Sequence, residues 1–300
     1  MKVKEKVMEI VFLVAACVSI LAVLLICVFL FSSGIPAIGK IGPLNFLGGT
    51  VWKPSNNLFG ILPMILGSIY VTAGAIIIGV PIGIFMAVFM ARFCPGSLYK
   101  ILKPAVELLA GIPSIVYGFF GMEVLVPLLR NTFAAFNCKG NSMLAASILL
   151  GIMILPTIIG VSESAIRAVP NSYYEGSLAL GADHERSVFF AVLPAAKSGI
   201  LAGVVLGIGR AIGETMAVIM VAGNQPAMAH SIFKGVRTMT ANVVIEMGYA
   251  TGIHREALIA TGVVLFVFIL LKGLLTTDLR RYPSVYPLLT PSLMALFKSP

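Results

Sequence analysis

Long apolar runs separated by short polar stretches fill this 300-residue chain, and inside the runs the apolar residues are continuous rather than alternating with polar ones. Runs of that kind read as helices crossing a bilayer, because the strands of an outer-membrane barrel alternate at period two. Six stand out. The first, Ile10 to Phe31, follows the basic start MKVKEK and has 22 residues, enough to cross about 30 Å of hydrocarbon. No small-x-small cleavage site follows it directly, so it reads as an uncleaved span rather than a signal peptide. The others are Phe59 to Met90, where Pro81 predicts a kink, Pro104 to Leu129, Met143 to Ile166, Ser198 to Ala222, and Leu258 to about Leu275.

The connections differ in character. Residues 32–58 are rich in Gly, Pro and Asn and hold Trp52, the sole tryptophan, which suits an external loop with an aromatic at the membrane interface. Residues 223–257 form a polar loop whose middle, VRTMTANVVIEMG, reads as a short interfacial helix. Residues 170–194 read as a compact projection or as an amphipathic loop lying on the membrane surface: Pro170, Asn171 and Ser172 look like a helix start, Gly181 its stop, Asp183 the cap of a second helix, and Pro194 that helix's end. The chain thus divides into an N-terminal span and loop, 1–58, a core, 59–275, and a proline-rich tail, 276–300, which reads as disordered or peripheral.

Composition sharpens the class. With 59% hydrophobic and 11% charged residues and a mean hydropathy of +1.02, a soluble domain is excluded and the reading is an all-α polytopic membrane protein. The net charge of +9 points to topology rather than to nucleic acid, since the basic residues lie between the runs. Of 21 Lys and Arg, thirteen fall before Ile10, in 91–103, in 167–197 and after 271, and seven in 32–58, 130–141 and 223–257. Both termini and the 170–194 projection are therefore expected in the cytoplasm. Cys17, Cys27, Cys94 and Cys138 suggest no disulfide framework.

Catalytic chemistry finds little support. Lys197-Ser198 lacks the glycines of a phosphate-binding loop, GIGRAIG lacks dinucleotide spacing, and His184, His230 and His254 stand apart from other ligating residues, so no metal site is expected. The chemistry-bearing residues lie inside the runs instead. Gly199, Gly203, Gly207, Arg210 and Glu214 follow at steps of 4, 4, 3 and 4, one face of one helix, with the two charges near the middle of the span and a turn apart. An ionised side chain facing lipid costs several kcal/mol, so Arg210 and Glu214 are expected to face protein or a watery passage, or to form a purely structural pair. The third run, ELLAGIPSIVYGFFGME, is broken by Gly111, Pro113, Gly118 and Gly121; it is either a second wall of that passage, with Ser114 and Tyr117 as its polar candidates, or a kinked packing helix.

The 170–194 stretch resembles the signature by which importer permeases of the ATP-binding cassette class dock on their ATPases: Glu-Ala-Ala, three residues, Gly, nine residues, Ile-x-Leu-Pro. Glu175, Gly181, Leu193 and Pro194 match at that spacing, while Gly176, Ser177 and Ala191 depart from it. LLAGIPSIVYGFFG and GRAIGETMAV are similar to stretches of phosphate importer permeases, more the C-type subunit than its A-type paralogue, and the likeness covers most of residues 8 to 275. The resemblance implies a type I importer permease fold in a bacterial inner membrane and a heterodimer with the A-type paralogue. It also implies two copies of a cytoplasmic ATPase that carry the ATP and Mg, none of it bound by this chain, and an external phosphate-binding protein. Phosphate would pass by Arg210, Glu214, Ser114 and Tyr117. Rival readings are a permease for sulfate or molybdate, an ion-coupled carrier in which Arg210 and Glu214 relay protons, and a membrane-embedded sensor.

Overall fold

A backbone in hydrocarbon must satisfy its own polar groups, and the computed structural model, which describes residues 2–136 and 139–281, is accordingly built of helices. In chain order these are α1 (Lys2–Ile41), α2 (Pro43–Gly48), α3 (Leu62–Val88), α4 (Gly96–Gly111), α5 (Ser114–Phe120), α6 (Val126–Thr132), α7 (Met143–Arg167), α8 (Asn171–Ala179), α9 (His184–Ser187), α10 (Leu193–Gly213), α11 (Met216–Val221), α12 (Met239–Met247) and α13 (Gly252–Arg281). A small antiparallel hairpin, β1 (Trp52–Lys53) with β2 (Leu58–Phe59), precedes α3. Wide π-turns at Phe89–Phe93, Gly121–Leu125 and Val188–Val192 prolong α3, join α5 to α6, and join α9 to α10.

Five helical stretches among the described residues are long and apolar enough to cross a membrane, and the pair Gly96–Gly111 and Ser114–Thr132, bent by 96°, brings the number to six when counted as one broken span. The bend falls where Gly111 and Pro113 stand. Gly118 and Gly121 do not break the helix as expected; they let it approach α11, where an added Cβ would meet Ala217 and Met220, or Val221 and Leu149.

At the centre α7 lies between α3 and α10. Gly79 and Gly83 of α3 face Ile154 and Ile158 of α7 on one side, and Gly207 of α10 faces the same two side chains on the other. Gly199 and Gly203 continue that ridge against Ala165, Val161 and Ser162. The glycine stripe is thus a helix-packing face, as its spacing predicts. A second pair, α1 with α13, meets at Gly34, which lies against Ala260 and Val263.

Four expectations need correction. The first helix continues through Pro36 to Ile41, because Ala37, Ile38 and Ile41 join a core cluster with Leu258 and Ala260 of α13. Trp52 sits in that same cluster, 6% exposed, rather than at an interface, and its Nε1 donates to Glu246 Oε2 at 2.8 Å. Glu246 of α12 also binds Arg237 Nη1 at 2.5 Å and His254 Nε2 at 2.8 Å, so His254 does not stand alone. The last helix runs to Arg281, six residues into the stretch read as tail (276–281), while residues 282–300 lie outside the described residues.

Candidate functional site

Ser198 to Ala222 is not one helix. α10 stops at Gly213, Glu214 takes an extended conformation with ψ 135°, and α11 starts afresh at Met216. The break leaves backbone groups without helical partners, and neighbours supply them: Glu214 Oε1 accepts from Thr215 N at 3.1 Å and Ala217 N at 3.3 Å, and Thr240 Oγ1 donates to the Glu214 carbonyl at 3.0 Å. The carboxylate therefore occupies the first amides of α11. Arg210, partly exposed in the last turn of α10, forms no ion pair with it. Their spacing of four suggests a pair only if the helix continues, and here it does not.

The bent pair supplies the second wall. Pro113, with ψ 140°, starts α5 at Ser114, which is partly exposed. Tyr117, buried one turn on, donates its hydroxyl to the Leu109 carbonyl at 2.9 Å and so bridges the two limbs of the bend. It lies within electrostatic reach of Arg210. α5 packs on α11, so Tyr117 and the Glu214 break that precedes α11 lie on adjoining elements, with Ser114 one turn before Tyr117 and Arg210 one turn before the break.

Hydroxyl groups that sequence reasoning passed over complete the surroundings. Ser68 and Thr72 of α3 and Thr238 line, with Glu214, Leu150 and Val218, a cavity of about 10 Å³, roughly the room of one water. Ser68 Oγ accepts from Met239 N at 2.9 Å, and Thr238 and Thr240 share a 3.0 Å bond. Ser68 and Thr72, four apart in an otherwise apolar run, were visible as a polar step on one helical face; the link from Thr240 to Glu214 spans 26 residues and has no local signature. A larger open groove of about 530 Å³ between α3, α7 and residues 229–232 is mostly apolar and contains none of these side chains.

The 170–194 projection forms as two short helices. α8 starts after Pro170, and the chain turns at Gly181, whose φ of +87° L side chains rarely adopt. Gly181 N and Ala182 N cap α8 on Leu178 and Ser177 carbonyls. Asp183 Oδ1 accepts from Arg186 N at 2.7 Å and so caps α9. Pro194 does not end this second helix: the π-turn Val188–Val192 widens the backbone just before it, and the helix runs on as α10. A proline in a regular helix conflicts with the carbonyl four residues back, and a wide turn relieves that conflict.

Glu175 and Gly181 are exposed, as are Leu180 at 91% and Phe190 at 67%, while Leu193 is partly buried and Pro194 exposed at the base. Tyr174 Oη and His184 Nδ1, 2.7 Å apart, tie α8 to α9, and Phe93 meets the His184 ring edge-on at 4.9 Å. These braces were not anticipated, since they join distant segments through ordinary aromatic residues.

The geometry is that of a family. The model for "Binding-protein-dependent transport system inner membrane component" matches residues 79–280. The chain is similar to the probable ABC transporter permease protein YqgH of Bacillus subtilis, 39% identical over 86% of this chain and 87% of that one. It is similar to the phosphate transport system permease protein PstC of Mesorhizobium japonicum, 35% identical over 81% and 79%. In fold it resembles a chain of the MetNI methionine ABC transporter, with TM-score 0.60 and 19% identity over 77% of this chain and 98% of that one. A bacterial alginate ABC importer follows, with TM-score 0.56 and 14% identity over 88% and 95%. On the matching model and these relatives, the chain belongs to the inner-membrane components of binding-protein-dependent transport systems, and is a multi-pass permease subunit.

Proposed function

We propose that this chain is one half of the gated passage of an ATP-driven importer of inorganic phosphate. Arg210 beside the broken helix at Glu214 carries the reading: a guanidinium inside a span, held near Tyr117 and bound to no carboxylate among the described residues, is a group able to meet a tetrahedral oxyanion. Glu214 already fills the α11 amides, so Arg210 is the cationic contact and Glu214 limits how tightly the anion is held. The names of the PstC relatives favour phosphate among oxyanions.

The other half of the passage is a paralogous permease subunit, an ATPase dimer docks on residues 170–194 and holds the ATP and Mg, and a phosphate-binding protein delivers from outside. Both termini are cytoplasmic, in keeping with the basic-residue bias. The chain itself makes and breaks no covalent bonds.

The test is uptake of radiolabelled phosphate by proteoliposomes containing both permease subunits and the ATPase, with ATP inside and the binding protein outside. ATP-dependent uptake that unlabelled phosphate competes and sulfate does not is expected. Uptake competed by sulfate or molybdate points to another oxyanion, and uptake that needs no ATP but collapses with an ionophore points to an ion-coupled carrier.

A further inference from the structure

Glu163 is among the most buried ionisable side chains of the described residues, 1% exposed, and the passage does not use it. It lies in the last turns of α7, four residues before the helix ends at Arg167. Its carboxylate accepts from Tyr99 Oη at 2.7 Å and Lys103 Nζ at 2.8 Å, both on α4, and from Arg167 Nε at 2.7 Å on its own helix. Arg167 in turn donates Nη2 to the Met90 carbonyl at 2.8 Å, in the π-turn that prolongs α3, and lies over the Tyr99 ring at 4.4 Å. Beside it Arg92 donates to the Ile166 carbonyl at 3.3 Å and faces the ring of Tyr174 in α8 at 6.0 Å.

One carboxylate thus gathers the cytoplasmic ends of three elements, α3, α4 and α7, directly beneath the docking projection. The cost of burying it is met by three donors, yet such ion pairs bring little net stability compared with apolar packing. What they specify is geometry. The apolar cluster Ala87, Val88, Ile166, Val169, Val188, Val192 and Ala196, with Tyr174 and Phe93 against it, locks α8 and α9 to the same ends of α3 and α7. Among the described residues no apolar cluster joins α4 to the projection. Its outer residues Leu98, Ile101 and Leu108 are exposed, and Glu163 and a small cluster of Val106 with Met90 and Ile159 hold it to α3 and α7. The far end of α4 is the 96° bend, bridged by the Tyr117 hydroxyl, which lies within electrostatic reach of Arg210.

We infer that Glu163 is a positioning residue for coupling: by clasping α4 to the base of the docking projection it makes a movement of α8 and α9 carry α4, and with it the bend that holds Tyr117 near Arg210. The inference rests on residues 170–194 being where the ATPase docks. It separates that contact, on one side of the clasp, from the passage on the other.

The experiment compares phosphate transported with ATP hydrolysed in proteoliposomes of the whole complex, for wild type, Glu163→Gln and the double variant Tyr99→Phe/Lys103→Met. The double variant keeps the Glu163–Arg167 pair and the ring beneath Arg167, and removes both polar ties from Glu163 to α4. Both complexes are expected to assemble and to copurify with the ATPase, with ATP hydrolysis near the wild-type rate and the transported-to-hydrolysed ratio down by about tenfold. A structural role alone lowers complex yield and both rates together and leaves that ratio unchanged. An unchanged ratio in Tyr99→Phe/Lys103→Met overturns the proposal, whether or not Glu163→Gln assembles. Loss of ATPase copurification in the wild-type complex, or its indifference to changes at Gly181, counts instead against the docking assignment.

Discussion

At the scale of single residues, what each charge touches decides its role. Arg210 and Glu214 were legible as intramembrane charges, because 25 apolar-run residues centred on position 210 leave few other reasons for a cation there. Their relation was not legible: a spacing of four implies contact along a helix, and the carboxylate instead turns to the amides of Thr215 and Ala217. The two substitutions should then behave differently. Glu214→Gln retains a side-chain oxygen able to accept from those amides, so the break persists and only its charge is lost, whereas Glu214→Ala also loses the cap, about 1 kcal/mol of local stability. Arg210→Gln should abolish phosphate uptake with normal amounts of complex in the membrane. The double replacement Arg210→Gln/Glu214→Gln should stay inactive, since no pair exists to be neutralised; recovered uptake in vesicle assays would assign the two charges a structural partnership after all.

At the scale of elements, local turn chemistry was readable and tertiary breaks were not. Pro113 and Gly111 mark the bend between α4 and α5, and Gly181 and Asp183 mark the two-helix projection, since each residue is suited to its position by its own backbone or side chain. The interruption at Glu214 and the continuation through Pro194 were missed, because both depend on what lies outside the segment: a threonine in the first turn of α12 in one case, a widened turn in the other. Gly181 offers a graded test. No atom lies within 4 Å of the position a Cβ would take, so a substitution there acts through the positive φ and not through collision. Gly181→Asn should couple nearly as well as wild type, since Asn tolerates the left-handed region, while Gly181→Val should lose transport at a backbone cost of about 1–2 kcal/mol. Copurification of the ATPase with each variant checks the order Gly, Asn, Val; equal recovery of all three would remove Gly181 from the docking contact.

At the scale of the whole molecule, the six apolar runs foreshadow the five long helices and the bent pair, whereas the ties that close the structure join segments too far apart for any periodicity to show. Reporter fusions should place Ser55 and Gly140 outside and His184 and Thr277 inside, and an external signal at His184 would reverse the topology. The pairing of α1 with α13 has a consequence for how the protein is made. The ribosome delivers α1 long before α13, so α1 spends the synthesis of everything between them without this neighbour, and an 18-residue stretch of it with a mean hydropathy of 3.2 lets it wait in lipid. Trp52 waits as well, until Glu246 and His254 have both crossed to its side, 194 residues later in the first case. A nascent chain stopped short of His254 therefore carries an unmated α1 and a Glu246 carboxylate lacking one of its three partners.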